Sequence, residues 1–217
     1  ALSLALAKAY LFEGKPALAF DEYRAAIRIG PATPDLLFDA GTVANTAGKP
    51  EDAADYYTRA QFANPKEWRY PLYLAFIQAK LGRDEAAIAS LTRVVNMNPD
   101  LPEAWGTLAE LELKANQASL AAQHVAKARA LDPIENRWRL VSAKVFNRLA
   151  KPAEALAELQ GLPTTERSAE VLAAMAASLA LQSKPADAAA LYEQAFAERP
   201  REPAWALEAA RWRQRAG

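Results

Sequence analysis

Residues 34–67 read PDLLFDAGTVANTAGKPEDAADYYTRAQFANPKE, and this stretch decides the fold. Leu36, Leu37, Ala40, Gly41 and Ala44 recur at three- and four-residue steps, which is the spacing of one apolar helix face. Gly48-Lys49-Pro50 ends that helix and opens another. Glycine tolerates the positive φ of a helix C-terminal turn, and proline at a first helical position loses no needed hydrogen bond. Ala53, Tyr57 and Ala60 then form the inward stripe of a second helix, and Pro65 stands beyond its end, where a helix cannot continue. The stretch predicts an antiparallel helix pair.

Working outward, the same unit returns along the chain. Pro31, Pro65, Pro99 and Pro133 are spaced by 34 residues, as are Gly14, Gly48, Gly82, Asn116 and Ala150, with Ser183 one residue early. Ala19, Ala53, Ala87, Ala121 and Ala155 keep the same step, and Ala188 again arrives one residue early. The turn device recurs as Gly14-Lys15-Pro16, Ala150-Lys151-Pro152 and Ser183-Lys184-Pro185. A period of 34 with small residues at fixed offsets belongs to stacked two-helix repeats, each packing only on its neighbours.

These residues resemble the tetratricopeptide repeat family. The unit beginning at Pro102 supplies Trp105, Leu108, Ala109, Ala121, Val125, Ala128 and Pro133 at the family's positions. The first unit supplies Leu6, Ala7, Tyr10, Gly14, Ala19, Tyr23, Ala26 and Pro31. The resemblance implies an all-α, right-handed superhelical solenoid. It would form one array with repeats near 1–33, 34–67, 68–101, 102–135, 136–168 and 169–202, plus a terminal helix at 203–217. In the fifth unit Gln160-Gly161-Leu162-Pro163 interrupts the second helix early. A deletion repaired by a longer neighbouring helix, for which Thr164 or Thr165 offers a cap, is the expectation there, with a hinge as the alternative. Ala1 and Gly217 both fall on repeat punctuation and no initiator methionine is present, so a segment of a longer protein is the expectation, the alternative being that the last helix caps the sixth repeat with Trp205 and Trp212.

Composition narrows the chemistry. Lys plus Arg and Asp plus Glu are 26 each, so no overall field steers the chain to nucleic acid or an anionic membrane. The absence of cysteine removes disulfides and thiolate chemistry, and it is compatible with either a bacterial periplasm or a cytoplasm. The opening ALSLALAKAYLF lacks the basic leader of a signal peptide and fits the repeat register. Val171 to Leu181, the longest strongly apolar stretch, is too short to span a bilayer, so direct membrane insertion is not expected. His124, the only histidine, has no carboxylate at a recognisable spacing, and no phosphate loop, nucleophile elbow or metal motif is present. The expectation is therefore no enzyme, no cofactor and no metal. Arg137, Trp138, Arg139, Lys144 and Arg148 form the densest basic and aromatic cluster. Trp138 and Arg139 diverge by about 100° on one helix, which argues against a nucleic-acid face.

The resemblance implies that the first helices line a concave groove that holds a ligand. The groove positions of the second repeat are Asp35, Phe38, Thr42 and Asn45. Those of the third are Arg69, Leu72, Phe76 and Lys80, with Tyr73 beside them. Glu103, Glu110 and Lys114 follow from the fourth, and Arg137, Leu140, Lys144, Asn147 and Arg148 from the fifth. The sixth offers Ala173, Ala177 and Ala180, little for a ligand to grip. The partner-binding set is thus Phe38, Asn45, Arg69, Leu72, Tyr73, Phe76, Lys80, Lys114, Arg137, Lys144, Asn147 and Arg148. It suits a protein or peptide with apolar anchors and acidic flanks. The carboxylate clamp of similar co-chaperones is not expected, because its positions hold Leu4, Lys8, Asp39, Arg69 and Tyr73. A noncatalytic scaffold or adaptor follows, placed in a bacterial envelope assembly for secretion, pili or exopolysaccharide export. The other assignment is a regulatory or substrate-recruiting domain of a larger enzyme or membrane protein.

Overall fold

Each first helix stops at a residue with positive φ, and that turn generates the architecture. In the computed structural model, which describes residues 2–217, φ is +69° at Gly14, +73° at Gly48 and +70° at Gly82. The next residue's N–H reaches back to a helix carbonyl: Lys15 to Tyr10 at 2.8 Å, Lys49 to Ala44 at 2.9 Å and Arg83 to Gln78 at 2.8 Å. Six residues are closed into a loop that satisfies carbonyls a helix end would otherwise leave open. Asn116, Ala150 and Ser183 adopt the same conformation at +63°, +55° and +58° without being glycine. The loop geometry is unchanged, with Gln117 N–H to Glu112, Lys151 to Phe146 and Lys184 to Leu179.

These turns join thirteen α-helices among the described residues, and no strand is present there. Two compact units result, one up to Ala104 and one from Trp105. The first contains α1 (Leu2–Phe12), α2 (Pro16–Ile29), α3 (Pro34–Thr46), α4 (Pro50–Ala63), α5 (Arg69–Lys80) and α6 (Asp84–Met97). Helix α7 (Pro102–Lys114) lies mainly in the second unit. That unit continues with α8 (Ala118–Leu131), α9 (Asn136–Arg148), α10 (Pro152–Gln160), α11 (Ala169–Leu181), α12 (Pro185–Glu198) and α13 (Pro203–Ala216). Proline sits in the first turn of α2, α3, α4, α10, α12 and α13, where its missing N–H costs nothing. None of these helices is long and apolar enough to cross a membrane.

Small residues let the helices approach, and aromatic rings fill the space between them. In the first unit Ala19, Ala40, Ala44, Ala53 and Ala60 are fully buried around Phe20 and Tyr57. A Cβ on Gly41 would come within 2.7 Å of the Tyr57 ring, so only a residue without a side chain fits there unshifted. In the second unit the same relation links α7 and α9, where Gly106 faces the buried indole of Trp138. Ala121 is fully buried on α8, as its place in the repeat requires. One core cluster joins Leu156, Leu159, Leu162, Val171 and Met175, and another joins Leu172, Ala176, Tyr192, Ala195 and Ala209.

The fifth repeat departs from the expected repair. Helix α10 has 9 residues where the other second helices have 14. Helix α11, at 13 residues, is not lengthened to compensate. Thr164 and Thr165 do not cap it; they lie in a short 3₁₀ turn, Thr164–Glu166, and Ser168 takes the N-cap position. Arg167 holds the shortened segment by donating from Nε to the Leu162 carbonyl at 3.3 Å and from Nη2 to that of Gln160 at 3.4 Å. Leu162 is buried beneath. A side chain and a tight turn replace the missing helical turn, so the neighbour needs no extra length. The expectation attached to Ala1 lies outside the described residues.

Candidate functional site

In the first unit, α3 and α5 bring most of the predicted groove residues together. Phe38 lies 5.5 Å from the ring centroids of Tyr57 and Tyr70 and 5.0 Å from Tyr73, which meets it edge-on. Tyr73 also meets Phe76 at 6.3 Å and is 40% exposed, so the edge of this aromatic cluster faces solvent. The Arg69 guanidinium stands 5.7 Å from the Phe38 centroid and pairs with Glu67 at 3.0 Å. Lys80 donates to Asn45 Oδ1 at 3.2 Å, which ties the ends of the two helices. The Tyr70 hydroxyl donates to Asp35 at 3.0 Å. Burial, reinforced by that bond, pushes its pKa up to about 12. Leu72 corrects the sequence expectation: it is buried at 8% exposure and offers no anchor surface.

The second unit contains a cleft of 660 Å³. Its floor is Ala173, Ala174, Ala177 and Ala180 of α11. One wall is Lys144, Asn147 and Arg148 of α9, and the other is Trp205, Glu208 and Trp212 of α13. These alanines, which by sequence give a ligand little to grip, are what opens the space. Each side chain stops at Cβ, and the larger residues on both sides stand above it. Burial and then Glu208 push the Tyr192 phenol at the cleft up to about 12.

Charge in the cleft is unevenly committed. Glu170 pairs with Arg199 and accepts from Ser168 Oγ at 3.1 Å. Burial raises the Glu170 carboxyl, but its own backbone N–H, Arg199 and Ser168 outweigh that and hold it below the ordinary range. Glu208 accepts from Arg211 at 2.7 Å and from Trp212 Nε1 at 3.0 Å. Asn147 is spent on α11, donating to the Ala174 carbonyl at 3.0 Å and lying 2.9 Å from Ser178 Oγ. Arg148 uses Nη1 on Asn116 at 2.9 Å. Lys144 is exposed and has no partner among the described residues. Arg137 and Lys114 are not in the cleft lining, and Arg137 pairs with Glu110 of α7 at 2.6 Å.

A polar site missed from the sequence lies at α7 and α8. His124 Nδ1 is 2.8 Å from Glu112, whose side chain is nearly inaccessible, and the imidazole packs on Trp105 at 5.2 Å. The expectation of no carboxylate partner for His124 is therefore corrected. Glu112 occupies the repeat position that Tyr10 holds in the first unit and Phe146 in the fifth. A charged residue in an inward register was the available signal. Burial raises the Glu112 carboxyl, with the His124 bond opposing. One carboxylate and one imidazole do not make a metal site, and no group of three or more such ligands occurs among the described residues.

The helix pairs, their positive-φ turns and the alanine register define a helical-repeat interaction protein. Two tetratricopeptide repeat models match it, over residues 4–67 and 44–111. The chain belongs to the tetratricopeptide repeat family, whose repeats are protein-interaction modules. It is 30% identical over 114 residues to human tetratricopeptide repeat protein 7B. That match spans 52% of this chain and 14% of the relative's length. Among solved structures, one from the functional characterization of Pseudomonas aeruginosa pilF superposes with a TM-score of 0.73 at 18% identity, over 99% of this chain and 96% of the other. The anaphase-promoting complex hetero-tetramer Cut9-Hcn1 gives 0.74 at 19% identity, over 97% of this chain and 42% of the other. At these identities the likeness concerns the fold.

Proposed function

We propose that this chain is a noncatalytic scaffold that holds a peptide or partner protein on the faces of its first helices, with the cleft of the second unit as the main site. The observation that carries the reading is the alanine-floored cleft. A volume of 660 Å³ lies within the range of about 300–1,000 Å³ typical of ligand sites, and convergent polar groups on an apolar floor are the usual anatomy. The Phe38, Tyr73 and Phe76 face of the first unit is a second contact surface, flanked by Arg69, Asn45 and Lys80. Exposed aromatic and arginine side chains are enriched among residues that dominate binding energy. Lys114 and Arg137 lie outside the cleft lining, and Arg137 is paired with Glu110, so neither serves as an anchor in this reading.

The finer placement is a bacterial envelope assembly serving secretion, pili or exopolysaccharide export; its support is the alanine-rich composition and the short turns. A regulatory or recruiting module within a larger enzyme or membrane protein is the second reading. Affinity capture from the source extract, comparing the parent with Ala177→Phe, tests the site. Proteins retained by the parent and lost by the variant support it and name the assembly. An identical retained set would remove the cleft from the model.

A further inference from the structure

The cleft of the second unit is chemically one-sided. Its two carboxylates are already engaged, Glu170 by Arg199 and Ser168 and Glu208 by Arg211 and Trp212. On the opposite wall Lys144 has no partner among the described residues, and Arg148 has committed Nη1. Uncommitted charge among the cleft-lining residues is therefore positive and lies on the α9 side, while Arg215, outside that lining, stacks on the Trp212 ring at 4.6 Å. Between the walls lies an apolar socket. The alanines reach no farther than Cβ, and Trp205 and Trp212 supply flat apolar surface facing them. The space is open to water over a largely apolar floor, and a bulky side chain gains by displacing that water.

Resting on the cleft being the binding site, we infer that its ligand is a peptide segment pairing a bulky aliphatic or aromatic residue with a nearby side-chain carboxylate. The apolar group seats on Ala173, Ala177 and Ala180 against the tryptophans, and the carboxylate meets Lys144 and the free face of Arg148. A polyanion does not fit this pattern, because the lining offers uncommitted positive charge only at Lys144 and on part of Arg148, enough for one carboxylate. Orientation follows: the acidic residue lies toward α9 and the uncharged end toward α13. A charge at the rim sets selectivity and salt dependence, while the buried apolar contact sets residence.

The test uses short peptides acetylated and amidated at their ends, so that only side chains carry charge. Each has Leu, Phe or Ala at the centre and Glu, Gln or Lys within a turn of it. Binding is read by anisotropy of a labelled peptide and by tryptophan fluorescence, with Trp205→Phe and Trp212→Phe locating the signal. The Glu peptides with Leu or Phe bind about tenfold tighter than their Gln counterparts at low salt, and the difference shrinks as salt rises. Lys144→Glu reverses the preference toward Lys peptides. Ala177→Phe, or Ala180→Phe if the first variant does not fold, removes binding of every peptide while far-UV circular dichroism is unchanged.

Equal affinity for Glu and Gln peptides, with binding still lost in the blocked variant, refutes the charge selection and leaves the cleft as the site. Unchanged binding in a folded blocked variant refutes the site as well. Ala-centred peptides binding as tightly as Leu-centred ones refute the socket, and no binding by any peptide up to about 1 mM refutes the whole inference. Concentration-dependent self-association that Ala177→Phe abolishes would assign the cleft to a second copy and overturn the inference.

Discussion

Replacing Gly106 with alanine should destabilise the second unit, against the usual effect of that substitution. In an open helix interior glycine is about 1 kcal/mol worse than alanine, so the change would ordinarily stabilise. At Gly106 the added Cβ would stand 2.1 Å from Trp138 Cζ3 and 2.4 Å from Cε3 and Cη2. Carbon atoms sit comfortably at about 3.5–4.0 Å, so the overlap exceeds an ångström. Trp138 is 1% exposed and is the largest fully buried side chain. Its ring cannot leave, and α7 and α9 must separate. Overpacking of this kind costs about 1–3 kcal/mol, and an overlap above an ångström against an immobile ring belongs at the upper end, so against a propensity gain of about 1 kcal/mol the net loss reaches about 2 kcal/mol. Urea and thermal unfolding by circular dichroism measure the loss, and amide hydrogen exchange of α7 and α9 places it. All the atoms struck belong to the six-membered ring of the indole. Trp138→Phe removes that ring's overhang and should relieve the clash, giving a favourable coupling of at least 0.5 kcal/mol in a double-mutant cycle. Gly106→Ala as stable as the parent, or more so, would refute the packing argument.

Ala150 holds φ at +55° without glycine's freedom, so Ala150→Gly should raise stability by about 0.5–1 kcal/mol; a lower melting temperature would count against strain at that turn. Ala121→Leu should cost about 1–3 kcal/mol by overpacking a fully buried position, and a neutral result in urea unfolding would contradict the repeat register. Glu112 binds its proton more tightly in the folded state, because burial disfavours the carboxylate and His124 only partly opposes this. Its contribution is full below the ordinary carboxyl value of 4.5 and is lost as pH rises through the raised folded value. Glu112→Gln should therefore flatten that part of the stability profile, and parallel profiles for parent and variant would exclude the effect. Joint reversal of Arg137, Lys144 and Arg148 should weaken an acidic partner while leaving helicity intact, since the Arg137–Glu110 ion pair it breaks is partly exposed and worth about 0–1 kcal/mol.

The helix pairs were legible because the evidence for them is local. Gly14, Gly48 and Gly82 mark turns by a backbone requirement, and Ala53, Tyr57 and Ala60 mark a helix face by spacing alone. The fifth repeat was legible as a break but not in its repair, since Arg167 reaching the Leu162 and Gln160 carbonyls depends on how the chain folds back. Leu72 illustrates the limit at the site. Its register position matches that of Phe38, yet packing buries one and leaves the other partly open.

Sequence by itself determined the repeat, the helix boundaries at the turns and the family, because periodic side chains and φ-specific residues act on their immediate neighbours. Tertiary structure decided where a ligand has room. Whether an alanine row is a tight seam or the floor of a cleft depends on what stands on either side, and Lys144, Ala177 and Trp205 meet only when α9, α11 and α13 are packed side by side. The same holds for charge. Glu170, Arg148 and Lys144 are alike in sequence as solvated ions, and the distant residues Arg199 and Asn116 that engage the first two leave the last one open.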